Sequence, residues 1–146
     1  MKKNDCDIEL LAKYLKGRFL TSFSFDNFFT LNFHTYDEDR NGLPNDVELT
    51  IMSHWWFGAK EEWDHKVLNY GKGVQPDEPV LSYELALLRW SDDSQIVKVE
   101  RVEDTIRIEF KNKKYLNLSL VFDDENDEYV YILGEGKSEN IIFACP

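Results

Sequence analysis

Residues 19–33 alternate apolar and polar side chains with a period of two, which is typical of half-buried β-strands. The apolar positions of this stretch are Phe19, Phe23, Phe25, Phe29, Leu31 and Phe33. Asp26 and Asn27 interrupt the alternation, and both residue types favour turns. The sequence therefore predicts a β-hairpin over residues 19–33.

A second stretch repeats this pattern without a gap, at an offset of 77 residues (19–33 on 96–110). A third strand also aligns, with 49–51 on 116–118, but at an offset of 67. Because the two offsets differ by ten, the first copy carries ten extra residues between its second and third strands. Strands resemble one another by alternation alone, and a chance likeness is the alternative. The preserved order of hairpin, turn and third strand favours two related β-meander units.

Residues 5–16 follow the helical period instead. Their apolar positions, at the spacing i, i+3, i+4 and i+7, are Ile8, Leu11, Ala12 and Leu15. Asp5 is placed to cap the start of this helix, and Gly17 is placed to end it. Further strands are predicted at 80–88, 128–133 and 140–144. A short helix with Trp63 and Val67 on one face is predicted between the third and fourth strands of the first unit.

These elements predict one α+β domain over residues 1–146. The N-terminal helix, 5–16, is expected to pack on a curved or two-layer antiparallel β-sheet. The sheet is expected to be built from two related β-meander units, the first over 18–88 and the second over 95–145.

The charge of the chain is strongly acidic. Its 146 residues include 28 acidic and 17 basic residues, for a net charge of −11. The one basic cluster, Lys111, Lys113 and Lys114, lies around a predicted tight turn and is too small for nucleic-acid binding, which draws on clustered Lys and Arg. A basic protein is the expected partner, because complementary fields speed association. The alternative is that the acidity serves solubility alone.

The N-terminal segment has no continuous apolar core, so a signal peptide is not predicted. No stretch approaches the roughly 18–20 apolar residues of a membrane span. Cys6 and Cys145 are most simply free thiols in a reducing cytosol, and their pairing would require the two ends of the chain to meet. The sequence predicts a cytoplasmic protein that does not bind membranes.

Residues 37–48, DEDRNGLPNDVE, match the pattern of a helix-flanked calcium loop. The matching positions are Asp37, Asp39, Asn41, Gly42 and Glu48. The flanking residues are nevertheless predicted strands, Pro44 lacks an N–H, and Glu48 falls where the next strand begins. An elongated exposed connection is therefore the favoured interpretation, and a calcium site is the alternative.

No catalytic motif and no zinc-site motif is recognisable. The chain lacks a Gly-x-Ser-x-Gly elbow and a phosphate-binding glycine loop. His34, His54 and His65 do not combine with the two cysteines at any zinc-site spacing. With 28 carboxylates in the chain, a pair of acids carries no information about catalysis. We therefore expect neither enzymatic activity nor a metal or cofactor.

Two segments suit protein binding. The acidic run 123–128 lies at a strand connection of the second unit, where a solvated turn is the plainer interpretation. Residues 54–65 include Trp55, Trp56 and Trp63 beside acidic residues, and an outward tryptophan is a natural interface anchor. The predicted partner-binding residues are Asp123, Asp124, Glu125, Asp127 and Glu128, with Asp37, Glu38 and Asp39 as a second patch.

A small, acidic, β-rich chain with several acidic loops and no catalytic signature resembles the immunity proteins of bacterial toxin–immunity pairs. The resemblance is one of type and extends loosely over the whole chain. It implies a non-catalytic inhibitor whose carboxylates cover the active site of a basic, nuclease-like toxin. Two alternatives stay open: a structural or housekeeping β-protein that forms a homodimer, and a small-ligand or calcium-binding domain that uses the loop 37–48.

Overall fold

The computed structural model describes residues 7–25, 28–36, 43–69, 77–89, 91–121, 129–136 and 141–145. The helices are α1 (Ile8–Leu15), α2 (Lys60–Asn69) and α3 (Asp77–Leu88), with a 3-10 helix at Asp92–Ser94. The strands are β1 (Phe19–Ser24), β2 (Phe29–His34), β3 (Asp46–Ile51), β4 (Trp55–Phe57), β5 (Ile96–Val102), β6 (Thr105–Phe110), β7 (Tyr115–Ser119), β8 (Tyr131–Glu135) and β9 (Ile141–Cys145). The fold is α+β, as predicted.

The strands form two antiparallel sheets. One sheet has five strands in the order β1-β2-β3-β8-β9, and the other has four in the order β4-β7-β6-β5. The buried apolar residues of both sheets belong to one hydrophobic core, together with Leu11 and Leu15 of α1. The expected arrangement of an N-terminal helix and two β-meanders is confirmed, with one meander in each sheet.

The second and third strands pair in the same register in the two meanders. Leu31 lies opposite Leu49 in the first meander, and Ile108 lies opposite Leu116 in the second. These are the pairs that the offsets of 77 and 67 residues place in equivalent positions. Each meander also has an irregularity near the start of its first strand, between Leu20 and Ser22 and between Ile96 and Lys98. The likeness therefore extends to the backbone pairing of the second and third strands. The first hairpins differ by one residue, because Phe23 lies opposite Leu31, whereas Val99, one position before the counterpart of Phe23, lies opposite Ile108.

The meanders exchange their fourth strands. The chain passes from β3 directly to β4, yet β4 pairs with β7 of the other sheet, with Trp55 opposite Leu118. The chain likewise passes from β7 to β8, and β8 pairs with β3, with Leu133 opposite Leu49. Each meander therefore completes its sheet with a strand that follows the other meander in sequence.

Helix α1 is fixed at both ends by local contacts. The Asp7 carboxylate accepts a hydrogen bond from the Leu10 amide at 3.0 Å, so Asp7 caps the helix. The predicted cap, Asp5, lies outside the described residues. At the other end Gly17 has a φ of 88°, a conformation that glycine adopts without strain. Its amide donates to the Ile96 carbonyl at 2.8 Å, which links the start of β1 to β5.

The predicted strand at 80–88 is wrong, because these residues belong to α3. Leu81, Leu85 and Leu88 are buried, and their spacing of i, i+4 and i+7 places them on one face of a helix. The predicted short helix is confirmed as α2, which buries Trp63. The last two predicted strands are confirmed as β8 and β9, with residues 128 and 140 outside the described part.

The expectation of free thiols is wrong for Cys145, which is disulfide-bonded. The chain contains one other cysteine, Cys6, and that residue lies outside the described part. Because disulfides persist mainly in oxidising environments, this bond removes the free-thiol argument for a cytoplasmic location. As for membranes, none of the described helices combines the length and the apolar composition of a bilayer span.

Candidate functional site

All eight predicted partner-binding carboxylates lie outside the described residues. They are Asp37, Glu38, Asp39, Asp123, Asp124, Glu125, Asp127 and Glu128. Asp37, Asp39, Asn41 and Gly42 of the calcium pattern fall in the same gap, 37–42. The flanks of 37–42 are described, and they show how the connection between β2 and β3 is held.

A buried arginine anchors the second flank of that connection. Arg18 is fully buried, and its guanidinium donates to the carbonyls of Pro44 and Asn45, the latter at 2.7 Å. Its Nε donates to the Tyr14 carbonyl at the end of α1. The Thr35 amide donates to the Asn45 carbonyl at 2.9 Å and extends the ladder beyond β2. The base of the connection is therefore fixed to the core of the domain.

An exposed tyrosine stands at the first flank. Tyr36 is 68% exposed, and its ring meets the His34 ring edge-on, with centroids 4.6 Å apart. The Phe19 ring lies 5.8 Å away on a tilted plane, and His34 Nδ1 is 2.7 Å from the Asp46 carboxylate. A hollow of about 170 Å³ adjoins the tyrosine and is lined by Phe19, Tyr36, Ser91 and Asp92. We call Phe19, His34, Tyr36, Asp46 and Asp92 the Tyr36 face.

The metal interpretation gains no support from the described residues. Glu48 is the third residue of β3 and lies opposite Asn32, so the sheet sets the direction of its side chain. No group of three or more His, Cys, Asp or Glu side chains that could hold an ion occurs within the described ranges. The calcium hypothesis therefore depends on residues outside them.

A second cluster of charged side chains surrounds Glu84 on α3. The Glu84 side chain is only 10% exposed, and its two oxygens contact Lys66 Nζ at 3.0 Å and Lys114 Nζ at 2.8 Å. Burial alone would raise the pKa of the Glu84 carboxyl, but the hydrogen bonds and charges of the two lysines outweigh it and lower that pKa. The carboxylate in its charged form therefore joins α3 to α2 and to the turn that precedes β7.

Two hollows meet at this carboxylate. The larger, of about 450 Å³, is lined by His65, Lys66, Asn69, Val80, Tyr83 and Glu84. The smaller, of about 320 Å³, is lined by Phe57, Gly58, Ala59, Glu62, Trp63, Lys66, Glu84, Lys113, Lys114 and Tyr115. Lys66 and Glu84 line both. We call the two hollows together the Glu84 cleft.

The tryptophans of 54–65 serve mainly as packing residues. Trp63 is buried, and Trp55 is half-buried against Phe29 and Trp63, at centroid distances of 5.0 and 6.0 Å. Trp56 is also half-buried, with the Lys60 ammonium 5.5 Å from its ring centroid. Since a lysine already lies over Trp56, Tyr36 is the more accessible aromatic anchor.

The sequence reasoning missed both clusters. The sequence predicts a strand over 80–88, and a strand there does not bring Glu84 close to a lysine of α2. The spacing of Leu81, Leu85 and Leu88 is a helical signal that identifies α3 and places Glu84 beside its buried face. Tyr36 is a single aromatic residue after a strand, and nothing in its neighbourhood indicates its exposure.

Comparisons with known proteins give no match: no family model, curated protein or solved structure is significantly similar to this chain.

Proposed function

We propose that the chain is a non-catalytic protein-binding module that inhibits a basic partner, in the manner of an immunity protein bound to a nuclease-like toxin. The observation that carries this proposal is the exposure of Tyr36, which two neighbouring rings hold in place. Asp37, Glu38 and Asp39 follow this tyrosine directly in the sequence.

Tyr36 has the properties of an interface anchor. Tyrosine is enriched among the residues that dominate binding energy, because it buries a large ring and still offers a hydroxyl group for hydrogen bonding. The contacts with His34 and Phe19 restrict the orientations that the Tyr36 ring can adopt before a partner binds. A side chain that is already ordered loses less conformational entropy when a partner covers it.

The charge of the chain favours a basic partner. Several described basic side chains are neutralised locally. The ion pairs are Lys60–Asp64 at 2.8 Å, Lys98–Glu100 at 3.1 Å and Arg101–Asp104 at 3.9 Å. The Tyr36 face adds Asp46 and Asp92 to the three acids that follow the tyrosine. An acidic face of this kind attracts a cationic surface and speeds encounter at low ionic strength.

Inhibition by covering the partner's active site requires no catalytic step by the chain itself. A nuclease-type active site binds phosphates with Lys and Arg side chains, and carboxylates can occupy the same positions. In this proposal the Tyr36 face and the acids at 37–39 cover the partner's site, with 123–128 as the second acidic patch.

The test begins with capture of a basic partner from the native host on the immobilised chain, followed by its identification. Affinity is then measured for the wild type, Tyr36→Ala and Tyr83→Ala. Tyr83 is the matched control, because it is 67% exposed but lies on α3. We expect Tyr36→Ala to weaken binding about thirtyfold, as at other aromatic hot spots, and Tyr83→Ala to leave it unchanged.

Three outcomes would overturn the proposal. One is recovery of no basic protein at moderate salt, and another is equal affinity of Tyr36→Ala and the wild type. The third is a captured protein whose activity the chain does not inhibit. Light scattering tests the homodimeric alternative separately, because a dimer that Tyr36→Ala dissociates would assign the Tyr36 face to self-association.

A further inference from the structure

We propose that the Glu84 cleft binds a small organic monoanion with an apolar body, such as a medium-chain carboxylate. This site is separate from the Tyr36 face and does not depend on the proposed inhibitor function. The anionic group lies at Lys66, where the two hollows meet, and the apolar body occupies the larger hollow.

The charge of the cleft differs in sign from that of the chain. Among the described residues that line its hollows, the charged side chains are three lysines, Lys66, Lys113 and Lys114, and two glutamates, Glu62 and Glu84. This described lining has a cationic excess of one, within a chain of net charge −11. A single negative charge on a ligand balances this excess.

The lysines retain capacity for a second anion. An ammonium group has three donors, and both Lys66 and Lys114 donate to Glu84. Their side chains are 53% and 47% exposed, so each charged end is accessible from the cleft. A ligand carboxylate can therefore bind Lys66 while the ion pairs with Glu84 stay intact.

The larger hollow suits the apolar part of the ligand. Val80 and Tyr83 contribute apolar surface to its wall, and Lys66 and Glu84 stand at the junction with the smaller hollow. A volume of about 450 Å³ falls within the range of small-molecule sites, which combine an apolar lining with a few convergent polar groups. The cleft therefore favours a ligand that has one negative charge at one end of an apolar body.

The binding test uses octanoate as the probe, with octan-1-ol and octylammonium as controls of equal chain length. Isothermal calorimetry gives the affinity, and amide chemical shifts in NMR spectra locate the site. We expect octanoate to bind at α2 and α3, octan-1-ol to bind more weakly, and octylammonium not to bind there. Absence of octanoate binding at millimolar concentration, or equal binding of octylammonium, would overturn the proposal.

Two substitutions have opposite expected effects. Lys66→Gln removes the charge that holds the anion and should weaken octanoate binding about tenfold or more. Glu84→Gln removes a negative charge that repels the bound anion and should strengthen binding several-fold. The matched controls are Lys98→Gln and Glu100→Gln, which break an ion pair on β5 outside the cleft and should change nothing.

Glu84→Gln distinguishes a ligand site from an ion pair that only holds the helices. If the cluster is purely structural, this substitution loosens the cleft and cannot strengthen binding, so weaker octanoate binding contradicts the proposal. Should Glu84→Gln fail to fold, Tyr83→Ala provides a second test, because truncation of the wall must weaken octanoate binding. Tyr36→Ala should retain full octanoate binding, whatever its effect on a protein partner.

Discussion

The connection between the second and third strands differs between the two meanders, although the strands it joins have the same register. In the first meander it covers residues 35–45, and the buried Arg18 holds its second flank. In the second meander it covers 111–114, where Lys113 adopts a φ of 72° and the Lys113 amide donates to the Phe110 carbonyl at 2.9 Å. One connection is long and anchored, and the other is a tight turn.

The two connections also differ in the sign of the charges that they carry in the sequence. The long connection carries Tyr36 and the acidic residues 37–39, whereas the tight turn carries Lys113 and Lys114 of the Glu84 cleft. The paired strands beneath them are alike, so the core does not constrain the side chains of the connections. Loops on a rigid scaffold are where new contacts can arise without loss of packing.

The largest expected effect tests the anchor of the long connection. Arg18→Met removes the donors that satisfy the carbonyls of Tyr14, Pro44 and Asn45. Because these groups lie in a part-buried site, we expect a loss of about 3 kcal/mol in the free energy of unfolding. Urea unfolding followed by tryptophan fluorescence measures the loss.

Arg101→Met is the control for that experiment, since Arg101 lies on β5 with a side chain 33% exposed. We expect it to change the free energy of unfolding by less than about 0.5 kcal/mol. Equal effects of the two substitutions would show that Arg18 does not anchor the connection.

A smaller effect, dependent on pH, is expected at the Glu84 cleft. Because the lysines lower the pKa of Glu84 in the folded state, the carboxylate stabilises the fold above the unfolded-state pKa of about 4.5. This contribution is lost as the pH falls through the folded-state pKa. Glu84→Gln should therefore lower the free energy of unfolding by about 1–2 kcal/mol at pH 7, and the difference should disappear in acid.

Unfolding of wild type and Glu84→Gln between pH 7 and pH 2.5 measures that difference. Glu100→Gln, which breaks the more exposed pair with Lys98, should show little difference at any pH. A deficit of Glu84→Gln that persists unchanged at the lowest pH would indicate lost packing rather than lost charge.

The smallest expected effect concerns the tight turn. Lys113 has a positive φ, which glycine adopts without strain. Lys113→Gly should raise the free energy of unfolding by up to about 0.5–1 kcal/mol, whereas Lys111→Gly, at the start of the turn, should not raise it. A thermal melt of each variant gives the comparison, and a lower melting temperature for Lys113→Gly would contradict it.

The pairing of the second and third strands could be predicted from the sequence, because alternation and chain offset fix which of their residues face one another. Leu31 and Leu49 align with Ile108 and Leu116, and both pairs are formed. The exchange of β4 and β8 could not be predicted, because pairing with either sheet satisfies the same alternation. The anchor at Arg18 could not be predicted either. Its partners are backbone carbonyls, two of them at Pro44 and Asn45, 26 and 27 positions away. Backbone carbonyls occur at every residue, so these contacts leave no pattern in the sequence.

The exchange of fourth strands gives the chain the connectivity of a strand-swapped dimer whose two members are covalently joined. A fragment that ends before β5 would contain β3 without β8, and a fragment that begins there would contain β7 without β4. Each fragment would then present an unpaired strand edge, which promotes association with other chains. We therefore expect the two halves to fold only together, and two separately expressed fragments to assemble by restoring both exchanged pairs.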